Sequence, residues 1–199
     1  MEETKTTSPL RALICEDEGM TVMLLRQALI SGGYEVVGEA PEGESAVRLA
    51  LEKRPDFILM DINMPGMDGI QATEKIMQQF PVPIIMITAY SEKALVEEAM
   101  DAGACNYLTK PIVSEQLLPV VLAALRRFDE MQTLRKEVGD LKETLETRKI
   151  VEKAKGLLMK RAQIDEPDAF KRMQKMARDR CVTMKVIATE ILNAESLYK

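Results

Sequence analysis

Phe57-Ile58-Leu59-Met60 is an unalternating apolar run that ends on one acid, Asp61. Turn formers follow it, in Ile62-Asn63-Met64-Pro65-Gly66-Met67-Asp68-Gly69. So short a run with no polar alternation cannot lie half exposed. It predicts a strand covered on both faces, as in a parallel sheet. Asp61 then falls where the strand leaves the core, at the carboxyl edge where open α/β sheets place their ligands. A carboxylate there can cap the next turn, bind a metal or act as a nucleophile.

The rest of the chain repeats this pattern. Arg11-Ala12-Leu13-Ile14-Cys15 stops at Glu16-Asp17-Glu18. A helical pattern through Met20, Met23, Leu24, Gln27 and Ala28 then ends at Ser31-Gly32-Gly33, a glycine stop. Tyr34 to Ala40 is strand-like, and Ala46, Val47, Leu49 and Ala50 mark a second helix closed before Pro55. A third helix spans Gly69 to Phe80. Pro83 to Ile87 ends on Thr88-Ala89-Tyr90, Ser91 to Ala102 is helical, and Cys105 to Leu108 ends on Thr109-Lys110-Pro111 before a fifth helix near Ser114. Strands and helices alternate five times in about 120 residues. The expectation is an α/β, doubly wound, five-stranded parallel sheet with right-handed crossovers.

Parallel strands bring their carboxyl ends to one edge, so Glu16, Asp17, Asp61, Thr88 and Lys110 converge. Crowded carboxylates repel unless a cation is present. Oxygen-only ligation without His or Cys suits Mg²⁺, with the carbonyl of Asn63 as a further ligand. A carboxylate so placed can attack a phosphoryl donor, while Mg²⁺, Lys110 and the Thr88 hydroxyl stabilise the transferring group. Each group has a plainer use: Glu16 and Asp17 as caps of the first helix, Thr88 as a cap of the fourth, Lys110 as a solvated cation. Four strand ends carrying complementary chemistry favour the joint reading.

Glu16-Asp17, Asp61 with Met64 to Gly69, Thr88-Ala89 and Lys110-Pro111 closely resemble the receiver domain of bacterial two-component response regulators, over residues 10–126. The resemblance implies the flavodoxin-like strand order 2-1-3-4-5. It implies Mg²⁺ on Glu16, Asp17 and Asp61, and phosphorylation of Asp61 by a sensor histidine kinase. It also implies a switch in which Thr88 moves toward the phosphate and Tyr107 turns inward, and a cis Lys110–Pro111 bond.

Beyond the receiver-like segment, apolar positions continue through Phe128, Met131, Leu134, Val138, Leu141 and Leu145. From Leu134 the spacing is four, three, four, a heptad seam. Residues 127–147 read as a coiled-coil linker helix and Gly139 as its weak spot. The competing reading lays this helix back on the receiver.

Charge divides the chain. Residues 1–147 carry 14 basic and 25 acidic side chains, whereas residues 148–199 carry 13 basic and 7 acidic, a net +6. Residues 148–193 predict a small three-helix domain. Ile150, Ala154, Leu157, Leu158 and the stem of Arg161 share one face, and Lys149, Lys153, Gly156 and Lys160 share another. Ala169, Phe170, Met173, Met176 and Ala177 are the inward positions of the next helix, and Thr183 caps a third with Val186, Ile187, Ile191 and Leu192 inward. Basic stripes are often only solvated faces. Here Ala154-Lys155-Gly156-Leu157-Leu158-Met159, Glu166, Ala169-Phe170, Ala177 and Ala188 resemble the ANTAR domain, an RNA-binding antitermination module. With Phe170 read as buried, RNA contacts fall to Lys149, Lys153, Lys155, Gly156, Lys160, Arg178 and Arg180.

These readings predict a phosphorylation-controlled regulator of transcription termination that binds RNA hairpins and dimerises on phosphorylation. A DNA-binding regulator lacks an evident recognition helix here. A phosphohydrolase lacks a second acid two residues beyond Asp61, so no turnover of a separate substrate is expected. A receiver with a protein-binding tail remains the third option. The polar start, Met1 to Ser8, shows no signal peptide, and no apolar run has membrane-spanning length. Cys15, Cys105 and Cys181 are odd in number and far apart, as expected of reduced thiols in the cytoplasm.

Overall fold

Every residue of strand β3 (Phe57–Asp61) is buried, and the sheet is built outward from it. The structure, a computed structural model, describes residues 8–89 and 93–196. Met1 to Thr7, and Tyr90 to Glu92 where the fourth helix is expected to begin, lie outside the described residues. The chain divides into two compact units, Met1–Gln132 and Thr133–Lys199.

In the first unit the strands are β1 (Arg11–Cys15), β2 (Glu35–Ala40), β3, β4 (Ile84–Ala89) and β5 (Asn106–Lys110). They pair in the order β2-β1-β3-β4-β5, and all four pairings are parallel. This is the expected doubly wound order. Helices α1 (Gly19–Ser31), α2 (Gly43–Lys53), α3 (Gly69–Gln79) and α4 (Lys93–Asp101) make the four crossovers, and the start of α5 (Ser114–Ala162) follows β5 and packs back on the sheet.

Side-chain alternation along the strands creates two cores. Leu13, Cys15, Ile58, Met60, Ile84 and Met86 point to one face and pack with residues of α2, α3 and α4. Ala12, Ile14, Phe57, Leu59, Ile85 and Ile87 point to the other and pack with α1 and α5 through Leu25, Leu29, Leu117 and Val121. Neither face of the central strands meets water, which explains their unbroken apolar runs.

The face of α1 departs from expectation. Its buried residues are Leu25, Ala28 and Leu29. Met20 and Met23, expected inward, are 80% and 72% exposed. The helix reads GMTVMLLRQALIS, apolar on nearly all sides, so two stripes fit the 3.6 period. The stripe through Val22, Leu25 and Leu29 took the core.

In the second unit, α5 continues to Ala162, followed by α6 (Glu166–Asp179) and α7 (Met184–Ser196). Asp165 caps α6 by accepting a hydrogen bond from the Asp168 amide at 2.9 Å, with Pro167 in the first turn. Thr183 Oγ1 accepts from the Val186 amide at 3.4 Å, the expected cap of α7. The core is small: Ala154, Met173, Ala177, Ile187 and Ala188. Among the described residues no helix is long and apolar enough to cross a membrane.

Glycines measure how closely the first unit is packed. A Cβ on Gly69 would stand 1.9 Å from the Asp61 carbonyl oxygen, whereas one on Gly139 would meet nothing beyond its own helix within 4 Å. The same substitution therefore has opposite signs. Gly69→Ala should destabilise by about 1–3 kcal/mol or more, since backbone must move. Gly139→Ala should stabilise by up to about 1 kcal/mol, through helix propensity alone. Urea unfolding of both variants checks this, and equal effects at the two sites would contradict it.

Candidate functional site

The parallel register delivers the strand ends together. Cys15 pairs with Met60, Asp61 with Ile87, and Ala89 with Lys110. Residues following β1 and ending β3 and β5 therefore lie along one edge. Carboxylate oxygens of Glu16, Asp17 and Asp61 lie within 4.8 Å of one another, with Glu16 and Asp61 buried and Asp17 exposed. Lys110 Nζ donates to Asp61 Oδ2 at 2.7 Å and to Glu16 Oε1 at 3.1 Å. The Asn63 amide donates to Asp61 Oδ1 at 3.3 Å, and the Glu18 amide to Glu16 Oε1 at 3.2 Å.

Three carboxylates face one ammonium in this cluster. Burial is the strongest influence on Glu16 and pushes its carboxyl up to about 7; the hydrogen bond from Lys110 opposes this, and the charge of Asp61 adds to the rise. Burial pulls Lys110 the other way, but its hydrogen bonds to Asp61 and Glu16 prevail and hold it above the usual lysine range. Glu16 Oε2 is buried without a hydrogen bond. It lies 3.0 Å from Lys110 Nζ, at an angle unsuited to accepting. An orphaned carboxylate oxygen facing two further carboxylates is a fitting ligand set for a hard cation. The cluster can therefore hold a metal ion.

The remaining expected residues surround it. Thr88 is buried, and its hydroxyl donates to the Ala89 carbonyl at 3.2 Å. Tyr107 is 46% exposed, so its side chain is turned outward. The Lys110–Pro111 bond is cis, as expected. The N-cap of α1 is Glu18, which makes no side-chain capping bond, so Glu16 and Asp17 are not caps of that helix. Cys15 and Cys105 are buried free thiols and Cys181 an exposed one. Burial pushes the Cys15 thiol far up, which keeps it protonated and unreactive.

In the second unit, Lys149, Lys153, Lys160 and Arg178 are exposed. Gly156 lies in the lysine stripe, and a Cβ there would meet nothing beyond its own helix within 4 Å. Packing does not demand this glycine. Lys155 differs: it is 8% exposed, and its ammonium bonds Glu152 and Glu166, each at 2.8 Å. Those two carboxylates hold it above the usual lysine range, and it ties α5 to α6. Arg180 forms a bidentate pair with Glu190. The seam residues Leu134, Val138, Leu141 and Leu145 are each more than half exposed.

Two expectations are corrected here. Phe170 is not buried; it is 41% exposed, and Val186 is 40% exposed. The inward stripe of α6 is Ala169, Met173 and Ala177. Phe170 lies one residue, about 100°, round from it. The core accepts the small Ala169 and leaves the larger neighbour outside. The surface of α6 therefore carries an aromatic ring where the sequence predicts none.

Comparison with known proteins agrees with this layout. Residues 12–122 match the response regulator receiver domain family, and residues 139–192 match the ANTAR domain family. The transcriptional regulatory protein PdtaR of Mycobacterium tuberculosis is 48% identical over 184 residues, which cover 92% of this chain and 90% of that one. The chain is a response regulator of the ANTAR type. The chemotaxis protein CheY of Thermotoga maritima is 42% identical over 102 residues, 51% of this regulator and 85% of CheY. The receiver domain of AraT, a response regulator from Geobacillus stearothermophilus, superposes with a TM-score of 0.56 at 32% identity, over 62% of this regulator and 98% of that chain.

Glu16 gives the cluster a pH signature. Its carboxyl rises from 4.5 to about 7 on folding, so the folded state binds the proton more tightly. The stability this group contributes is full below about 4.5 and is lost as pH rises through 7. Without divalent cations, Glu16→Gln should stabilise the protein by roughly 1–3 kcal/mol at pH 8 and by almost nothing at pH 4. Urea unfolding at the two pH values is the check. A gain of the same size at both would trace to packing instead.

Proposed function

We propose that Asp61 is the phosphoacceptor of this response regulator, that a histidine kinase is its donor, and that the ANTAR module binds structured RNA to control transcription termination. The observation that carries the first part is Lys110 Nζ at 2.7 Å from Asp61 Oδ2, beside Glu16 and Asp17. An oxygen of Asp61 attacks the phosphorus of a phosphohistidine; the P–O bond forms as the P–N bond breaks, and the imidazole leaves with the electron pair and takes up a proton. Lys110, hydrogen-bonded to Asp61, offers its charge to the transferred group. Thr88 supplies a hydroxyl donor, and Ala89 and Pro111 border the place it reaches. Glu16, Asp17, Asp61 and the Asn63 carbonyl would hold Mg²⁺, which would supply positive charge to stabilise the transferring phosphoryl group.

Once Asp61 is phosphorylated, Thr88 turns to the phosphate and the outward Tyr107 ring takes the space it leaves. Residues 10–126 form the receiving part, 127–147 the linker helix and 148–193 the output module. The exposed seam Leu134, Val138, Leu141 and Leu145 is covered by a second copy of the chain, because heptad spacing suits a matching helix. The setting is the cytoplasm, where kinase and nascent RNA are both within reach. In the output module, Lys149, Lys153, Lys160 and Arg178 meet phosphates and Gly156 lets the RNA backbone approach closely. Lys155 and Arg180, already engaged by carboxylates, orient the surface.

Incubation with a small phosphodonor and Mg²⁺ should add one acid-stable, base-labile phosphate to the chain. Asp61→Asn should take none, and the labelled wild type should sediment as a dimer that Leu141→Glu abolishes. Labelling of Asp61→Asn to the wild-type level would move the acceptor elsewhere.

For the output module, a hairpin RNA with an exposed loop should bind more tightly than duplex DNA of equal charge at one fixed salt concentration. Lys153→Gln should weaken all RNAs alike and lower the salt slope by about one unit. If duplex DNA binds as tightly as any hairpin, and Gly156→Leu changes neither, the module is a DNA-binding one.

A further inference from the structure

Phe170 is an aromatic ring displaced from the core onto a basic surface. On α6 the residues Phe170, Gln174 and Arg178 follow at spacing four, so they share one stripe, and all three are exposed. Lys171, also exposed, borders it, with its ammonium 4.0 Å from the Asp168 carboxylate. Glu166, one turn before Phe170, has its carboxylate engaged by Lys155 at 2.8 Å. Its negative charge is thus offset in part, the ammonium being shared with Glu152. From Lys171 to Arg178 the helix bears Lys171, Arg172, Lys175 and Arg178 and no acid.

This combination selects its occupant. A protein partner would ask for a contiguous apolar patch, yet the stripe surrounds its one ring with an amide and cations. A paired duplex hides its base faces. An unpaired nucleotide offers what the stripe matches: a π-face for Phe170, base edges for the Gln174 amide and phosphates for Lys171 and Arg178.

We propose that the exposed face of α6 holds an unpaired RNA base stacked on Phe170, with Gln174 at its edge and Lys171 and Arg178 on the flanking phosphates. This rests on the reading of the output module as RNA-binding and specifies where a loop, rather than a stem, is held.

The chain contains no Trp, which makes the test optical as well as thermodynamic. The full-length protein, with and without a small phosphodonor and Mg²⁺, is titrated with a pool of hairpin RNAs that share one stem and carry a randomised loop. A fully paired RNA duplex of equal charge serves as the comparison. Phe170→Ala should lose between about 5- and 150-fold in affinity for the loop RNA, the range for one stacked base, with its salt slope unchanged. Lys171→Gln should lower the slope by about one unit. Phe170→Trp should bind like wild type, and its emission should be quenched by the loop RNA and not by the duplex. Phe170→Leu keeps apolar bulk without an aromatic face, so it guards against a folding defect and should resemble Phe170→Ala.

Three results would overturn the proposal. If wild type binds the loop pool but Phe170→Ala binds equally and Phe170→Trp is not quenched, the base lies elsewhere while the RNA reading stands. If Phe170→Ala instead changes the sedimenting mass, the ring is a contact between proteins. If wild type prefers no loop RNA in either phosphorylation condition, the RNA reading itself fails and this proposal with it.

Discussion

The ammonium of Lys110, shared between Asp61 and Glu16, is the interaction on which the first unit depends. A carboxylate at the end of a fully buried strand loses most of its hydration, and leaving it ionised without a partner would cost several kcal/mol. Lys110 comes from a strand two places away in the sheet, so the pair forms only when β3, β4 and β5 are in register. The charge and the fold are mutually conditional. The compensation is also incomplete, because Glu16 retains an oxygen with no hydrogen bond. A site that is built but left electrostatically unsatisfied is poised to gain from a cation or from a change in its own charge.

The sheet was legible in the sequence because both of its signals are local. Each strand is an apolar run closed by turn formers, and each parallel strand must deliver its last residue to the same edge. Glu16, Asp61, Thr88 and Lys110 could therefore be grouped before any distance was known. The outward Tyr107 ring was not legible, since exposure of one edge-strand residue is decided by its neighbours in space. The face of α1 was ambiguous for another reason: with apolar residues nearly all round, its period selects no single stripe.

The second unit was harder to read because its core is small. Alanines at positions 154, 169, 177 and 188 carry much of the burial, and alanine gives little hydrophobic signal. Counting every apolar position of α6 as inward pulled Phe170 into a core that has room for Ala169, Met173 and Ala177. Lys155 was obscure for a different reason. One of its partners, Glu166, lies on another helix, and no spacing rule within α5 can find it. A charge that looked like part of a basic surface is instead a brace between two helices.

Met20 and Met23 stand largely in water, whereas Met60 and Met86 lie fully within the core. The thioethers on α1 are thus open to oxidants that the inner ones never meet. Conversion to the sulfoxide would replace a flexible apolar surface with a polar, chiral one, while leaving the packing of the sheet untouched. Ageing of this protein in air would be written first on the outer face of α1, and a reductase that repairs methionine sulfoxide would find its substrate there without having to unfold anything.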